Sequence, residues 1–219
     1  FNQFIKKAMA PSIDLKELKE LIQQRSSQER ILVALAGPPG SGKSTLAGEL
    51  ESALNQEQPE QVMILPMDGF HYDDLYLVPA GLRPRKGAPQ TFDVGGFYHI
   101  LRRLRERQEE FVAVPVFDRD LEIARAGARL IPAKIPVILV EGNYLLLQQE
   151  PWSQLRSLFD VAVLLEVPER VLEERLMARW QHYELPPEEI AAKVNENELP
   201  NGRYVIAESG GEDYRLKSG

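Results

Sequence analysis

Three features of this 219-residue chain predict an α/β fold built on a parallel sheet. Segments 31–36, 62–68, 136–142 and 159–168 are short apolar runs of the kind that form strands buried on both faces. Segments with apolar residues at helical spacing lie between them, the alternation expected of strands joined by crossover helices. Two of the runs end in a carboxylate, at Asp68 and Glu141, and one ends in a glycine-rich turn. With a last short strand near 199–207, the expectation is a single domain over 1–219. It has a parallel sheet of about five strands, helices on both faces and a small helical lid.

The glycine-rich turn carries the sharpest signal. Gly37-Pro38-Pro39-Gly40-Ser41-Gly42-Lys43-Ser44 fits G-x-x-x-x-G-K-[ST], the phosphate-cradling P-loop. Its context is the one the motif requires. A strand precedes it, and Leu46, Leu50 and Leu54 follow at i, i+4, i+8 as one face of a helix. The glycines let backbone N–H groups approach a phosphate, and the helix dipole adds positive potential. Lys43 would reach the β- and γ-phosphates, the Ser44 hydroxyl would bind Mg²⁺, and Thr45 continues the loop into the helix. The expected ligand is ATP with Mg²⁺. No Asn-Lys-x-Asp base-specificity motif follows any strand, which argues against a GTPase switch.

Composition narrows the partners. The hydrophobic share of 43% and charged share of 27% are those of a globular protein. A net charge of −7 disfavours a nucleic-acid partner, whose phosphates call for Lys and Arg excess. There are no cysteines, so disulfides, thiolate metal sites and cysteine nucleophiles are excluded. No apolar run approaches membrane-spanning length. The opening Phe1-Asn-Gln-Phe-Ile-Lys-Lys does not read as a signal peptide, so the cytoplasm is the default.

Taken in order, the helix opening at Asp14 has a capping-box pattern with Glu17 and a stripe of Leu15, Leu18 and Ile22. Asp68 ends the second strand, and ligands of open parallel sheets sit beyond the carboxyl ends of strands. A carboxylate there serves as base toward a substrate hydroxyl, holds the metal, or caps a helix. His71 is either a substrate contact or a structural histidine, and Tyr72 is a weaker candidate. Residues 69–95 form a long flap rich in Pro and Gly, and 85–93 could carry a cation to an anionic substrate. Residues 96–110 read as a helix with Phe97, Ile100, Leu101 and Leu104 inward and its arginines in solvent. Residues 111–132 read as two short strands flanking an excursion over the cleft at 119–127. Asp118 and Arg119 at its tip are substrate-site candidates or a surface ion pair.

Glu141 occupies the position of the metal-linked acid of a Walker B strand, with Gly142 permitting close approach. In the helix that starts after Pro168, Arg175 and Arg179 fall on the apolar side with Leu172, Leu176 and Trp180. A buried guanidinium needs a partner, either triphosphate charge or an acid such as Glu141. A break at 181–187 and a resumed helix make about 175–199 a lid. Segment 199–207 reads as a turn containing Asn201 and a last strand, followed by a polar tail that could fray.

Together these pieces resemble the uridine kinase, pantothenate kinase and phosphoribulokinase group of P-loop kinases. The matching residues are the P-loop, Asp68-Gly-Phe-His71, Lys86-Gly-Ala-Pro-Gln-Thr-Phe-Asp93, Pro115-Val-Phe-Asp118, Glu141-Gly142, the Arg175/Arg179 helix and Pro200-Asn201. Asp-Gly-Phe-His with Val-Pro-Val-Phe-Asp-Arg and Leu-Pro-Asn-Gly more closely resembles bacterial proteins of the fructose transport system kinase or nucleoside/nucleotide kinase type. The resemblance implies that Asp68 is the base and that Arg175 and Arg179 attend the triphosphate. It also implies acceptor roles for Tyr72, Lys86, Asp93 and Arg119, a metal or acceptor role for Glu141, and a place near adenine for Asn201. One departure is local: uridine kinases have Asp-Ser-Phe-Tyr where this chain has Asp-Gly-Phe-His, closer to the pantothenate kinase form.

The function expected is an ATP-dependent phosphotransferase acting on a hydroxyl of a small metabolite. The alternative is a nucleotide-dependent regulatory ATPase that binds a protein. Neither the acceptor nor the assembly is written in the motifs, although a homodimer is the commonest assembly.

Overall fold

The computed structural model describes residues 10–27 and 29–217. The opening segment 1–7 therefore lies outside the described residues.

Helix α1 (Leu15–Ser26) opens with the expected capping box, Asp14 accepting from the Glu17 amide and Glu17 from the Asp14 amide. Leu18 and Ile22 are buried, whereas Leu15 is exposed and leaves the predicted stripe. Strand β1 (Ile31–Ala36) is buried throughout and leads through the glycine turn into α2 (Lys43–Glu57), with Leu46, Leu50 and Leu54 inward. Strand β2 (Val62–Pro66) is shorter than expected, because Met67–Phe70 winds into a 3₁₀ turn that carries Asp68. The flap is ordered. It contains the short α3 (Asp74–Leu77) and two 3₁₀ turns at Arg83–Arg85 and Pro89–Thr91.

Helix α4 (Val94–Glu106) begins and ends earlier than its apolar spacing suggested. Asp93 caps it on the Gly96 amide, and left-handed Arg107 ends it. Strands β3 (Phe111–Asp118) and β4 (Ile123–Pro132) pair as an antiparallel hairpin with a bulge between Val114 and Val116. The expected excursion at 119–127 is thus only a tight turn, since strand β4 already begins at Ile123. Its first half is largely exposed and carries no apolar alternation to betray a strand.

Strands β5 (Val137–Gly142) and β6 (Val161–Glu166) complete the core, and helix α5 (Glu169–His182) follows. The lid continues through α6 (Pro187–Ala192), a π-helical turn at Lys193–Glu198, and α7 (Leu199–Glu208). Segment 199–207 is therefore helix, not turn and strand. Pro200 sits in the first turn, where its missing N–H costs no hydrogen bond. The tail does not fray either: β7 (Tyr214–Lys217) joins the sheet as an edge strand beside β6.

The sheet is five-stranded and parallel, in the order β2-β5-β1-β6-β7. Along β1 alternate residues face opposite cores. Val33 and Leu35 pack with α1 and α2, and Leu32 and Ala34 pack with α4, the hairpin and Trp152. A third, smaller cluster, including Leu172, Leu176, Ile190, Val194 and Leu199, holds the lid together. Among the described residues, no helix is long and apolar enough to cross a membrane.

Candidate active site

Strand register assembles the site. Ala36 pairs with Gly142 and Pro66 with Glu141, so the P-loop, Glu141 and the Asp68 turn emerge along one rim. Two glycines let these pieces close up. A Cβ on Gly69 would stand 2.6 Å from the Pro115 carbonyl, and one on Gly142 would stand 2.5 Å from Met67 Cβ. The Asp68 turn is thereby wedged between β5 and the hairpin bulge.

In the P-loop, Gly40 and Gly42 take left-handed conformations, φ 78° and 87°. The Lys43 ammonium is buried, donating to the Pro38 carbonyl at 2.9 Å and to Ser41 Oγ at 3.3 Å. Burial lowers its pKa to about 8, against the opposing pull of Glu141 and Asp68. Ser44 Oγ donates to Glu141 Oε2 at 3.2 Å. Burial and the nearby Asp68 charge push the Glu141 pKa up, against the pull of Lys43 and the Ser44 hydroxyl. A hydroxyl and a buried carboxylate in contact are a donor pair that suits Mg²⁺, which takes one or two carboxylates and fills its shell with phosphate oxygens and water. The described residues contain no cluster of three or more His, Asp or Glu able to hold a metal alone.

Asp68 Oδ2 accepts from Arg119 Nη2 at 2.6 Å, so the hairpin turn brings a cation to the candidate base. His71 lies between Phe92 and Phe117, with ring centroids 4.0 and 4.7 Å away. Its Nδ1 is 2.8 Å from the Asp68 carbonyl, which can only accept, so Nδ1 carries the proton and Nε2 is left as an acceptor. Burial lowers its pKa and keeps the ring neutral.

Other candidates are engaged within the protein. Lys86 donates to Asp74 at 2.7 Å and to the Glu122 carbonyl at 2.6 Å, joining the flap to the hairpin turn. Asp118 organises that turn, accepting from the Asp120 and Leu121 amides and from Arg125 Nε. Asp93 is the cap of α4. Tyr72 stacks edge-on with Tyr76, and burial raises its pKa. Arg83, another basic residue of the flap, bridges Asp74 and Glu122.

The lid helix lies directly on the P-loop, because a Cβ on Gly40 would meet Leu176 Cγ at 3.1 Å and the Leu172 carbonyl at 3.3 Å. Arg175 and Arg179 ride on that helix. Arg175 Nη1 and Arg179 Nε are buried without a partner among the described residues. The acid that pairs with Arg179 is Glu198, not Glu141. Nothing in the sequence singled out Glu198, which sits in the π-helical turn. Asn201 is buried in α7, where its Nδ2 donates to Asn197 at 3.2 Å, and the adjacent Gly202 approaches Pro38 and Pro39.

Sheet order and the glycine-rich anion loop place the chain in the P-loop class. A family model described as the KAP family P-loop domain matches residues 15–76. The chain is 40% identical over 160 residues to the uncharacterized protein YggC of Escherichia coli strain K12, covering 72% of this chain and 65% of that protein's length. It is 35% identical to a candidate uridine kinase of Schizosaccharomyces pombe, covering 81% of this chain and 79% of the relative. The crystal structure of a candidate fructose transport system kinase from Silicibacter sp. TM1040 matches with a TM-score of 0.85 at 40% identity. That match covers 95% of this chain and all of the other. The chain belongs to the P-loop kinase family that includes uridine kinase-like and pantothenate kinase proteins.

Proposed function

We propose that this protein transfers the γ-phosphoryl group of Mg·ATP to a hydroxyl of a small metabolite, a sugar, a nucleoside or a pantothenate-like alcohol. The observation that carries the reading is Asp68. It stands on the P-loop rim, near enough to Lys43 and Glu141 to move both their pKa values, and is oriented by Arg119 at 2.6 Å.

Asp68 orients the acceptor hydroxyl and takes its proton as the oxygen attacks phosphorus. The new bond joins acceptor oxygen to γ-phosphorus. The bond from γ-phosphorus to the β–γ bridging oxygen breaks, and ADP leaves with that electron pair. The P-loop amides and Lys43 hold the β- and γ-phosphates, while Arg175 and Arg179 offer unpaired N–H groups to transferring charge. Ser44 and Glu141 would hold Mg²⁺, which neutralises phosphate charge. Arg119 and the bare Nε2 of His71 are the groups offered to the acceptor.

An ATP-consumption screen with Mg²⁺ against uridine, fructose, other sugars, pantothenate and glycerate tests this. One acceptor should raise consumption, and Asp68→Asn should keep nucleotide affinity while cutting turnover ~10²-fold or more. Undiminished turnover in that variant removes Asp68 as the base. ATP hydrolysis indifferent to every metabolite would favour the regulatory ATPase instead.

A further inference from the structure

We propose that Glu198 is a positioning residue that sets Arg179 for the γ-phosphate, a role that rests on the nucleotide-site reading above. Three observations carry it. First, Glu198 engages both carboxylate oxygens: Oε1 accepts from Arg179 Nη2, and Oε2 accepts from Trp180 Nε1 at 2.7 Å. The side chain is 13% exposed. A carboxylate this buried stays with its cation, because separating the pair would leave an uncompensated charge out of water. Glu198 is thus a fixed part of the lid and not a counterion that phosphate displaces.

Second, the pairing uses one end of the guanidinium and leaves the rest. Arg179 Nε remains buried and unpartnered, as does Nη1 of Arg175 one helical turn earlier. The helix that carries both arginines packs on the P-loop, where a Cβ on Gly40 would meet Leu176 Cγ at 3.1 Å, so these free donors belong to the phosphate end of the site. Without its acid, the Arg179 side chain would sample several rotamers, and each bond to phosphate would carry that ordering cost.

Third, Glu198 sits at the end of a π-helical turn, Lys193–Glu198. Such turns cluster at functional sites because they re-aim side chains. The same turn touches the acceptor flap. Asn197 Nδ2 donates to the Lys86 carbonyl at 3.1 Å, and Arg85 Nη1 donates to the Glu196 carbonyl at 2.9 Å. The segment that orients the phosphate arginine is therefore fastened to the segment that faces the acceptor.

The test separates ATP from ADP. Wild type, Glu198→Gln and Trp180→Phe are titrated calorimetrically with Mg²⁺ and either a non-hydrolysable ATP analogue or ADP. Glu198→Gln keeps side-chain volume and removes the negative charge that faces Arg179; Trp180→Phe frees the second oxygen. Glu198→Gln should weaken the ATP analogue about tenfold, about 1.4 kcal/mol, with ADP moved less than about twofold. Trp180→Phe should show the same selectivity to a smaller extent. Equal losses for both nucleotides would mean a merely structural role and overturn the proposal, as would unchanged or tighter analogue binding. If Glu198→Gln does not fold, the ATP/ADP split in Trp180→Phe decides by the same criteria. A wild type that binds neither nucleotide overturns the nucleotide-site reading and this proposal with it. A wild type that binds both while Glu198→Gln shows no split overturns this proposal alone.

Discussion

Lys43 and His71 show how burial tunes single residues here. Burial lowers the Lys43 pKa to about 8. Phosphate oxygens favour the charged amine, so its pKa should rise when nucleotide binds. Binding near pH 8–9 should then take up a proton, and affinity should fall as pH rises above 8. Calorimetry in buffers of different ionisation enthalpy measures the uptake, which Lys43→Met should abolish. His71 is also depressed by burial, below its ordinary 6.5. Between the folded and unfolded pKa values the unfolded chain binds more protons, so the stability owed to this residue is full above about 6.5. It is lost as pH falls toward the folded value. Thermal melts from pH 7.5 to 5 should show this loss in the wild type and less of it in His71→Gln. The P-loop residues and Asp68 were legible because their chemistry is local and their spacing rigid. Glu198 was not, since an acid in a run of polar lid residues shows its partner only when the chain folds back.

At the level of elements, the Asp68 turn depends on close backbone approach. Gly69 lies against the Pro115 carbonyl and Gly142 against Met67, at distances no side chain tolerates. Gly69→Ala should cost about 1–3 kcal/mol by overpacking and lower turnover as well, because the displaced turn carries Asp68. Denaturant unfolding and a rate measurement on the same variant check both parts. The four core strands were readable as apolar runs. The first half of strand β4 and helix α7 were not. The first half of β4 is largely exposed, and Leu-Pro-Asn-Gly carries turn-forming residues at what proves to be a helix start. Local preference yielded there to packing, with Leu199 and Val205 buried and Gly202 beside Pro38 and Pro39.

The whole molecule places two cores around one sheet and closes the site with a flap and a lid that clasp each other. Arg85 reaches the Glu196 carbonyl and, at 3.4 Å, Asn201 Oδ1, while Asn197 reaches back to the Lys86 carbonyl. Arg85→Ala removes two of these ties without touching the P-loop. It should raise amide exchange in residues 187–198 and in 83–91 while leaving that of β1 and β5 unchanged. Equal exchange in wild type and variant would mean the Arg85 ties do not hold the lid, leaving its apolar cluster and the Asn197 bond.

The sequence by itself determined the class of fold, the phosphate loop and the acid at the second strand's end. Those depend on residue periodicity and on contacts within about ten positions, which a linear pattern records. The tertiary structure alone decided which acid holds Arg179, which cation orients Asp68, and that flap and lid are joined. Arg119 and Asp68 lie 51 positions apart, and Asn197 and Lys86 lie 111 apart. A buried charge takes whatever partner the folded chain brings within hydrogen-bond reach, and that neighbour is set by packing rather than by sequence spacing.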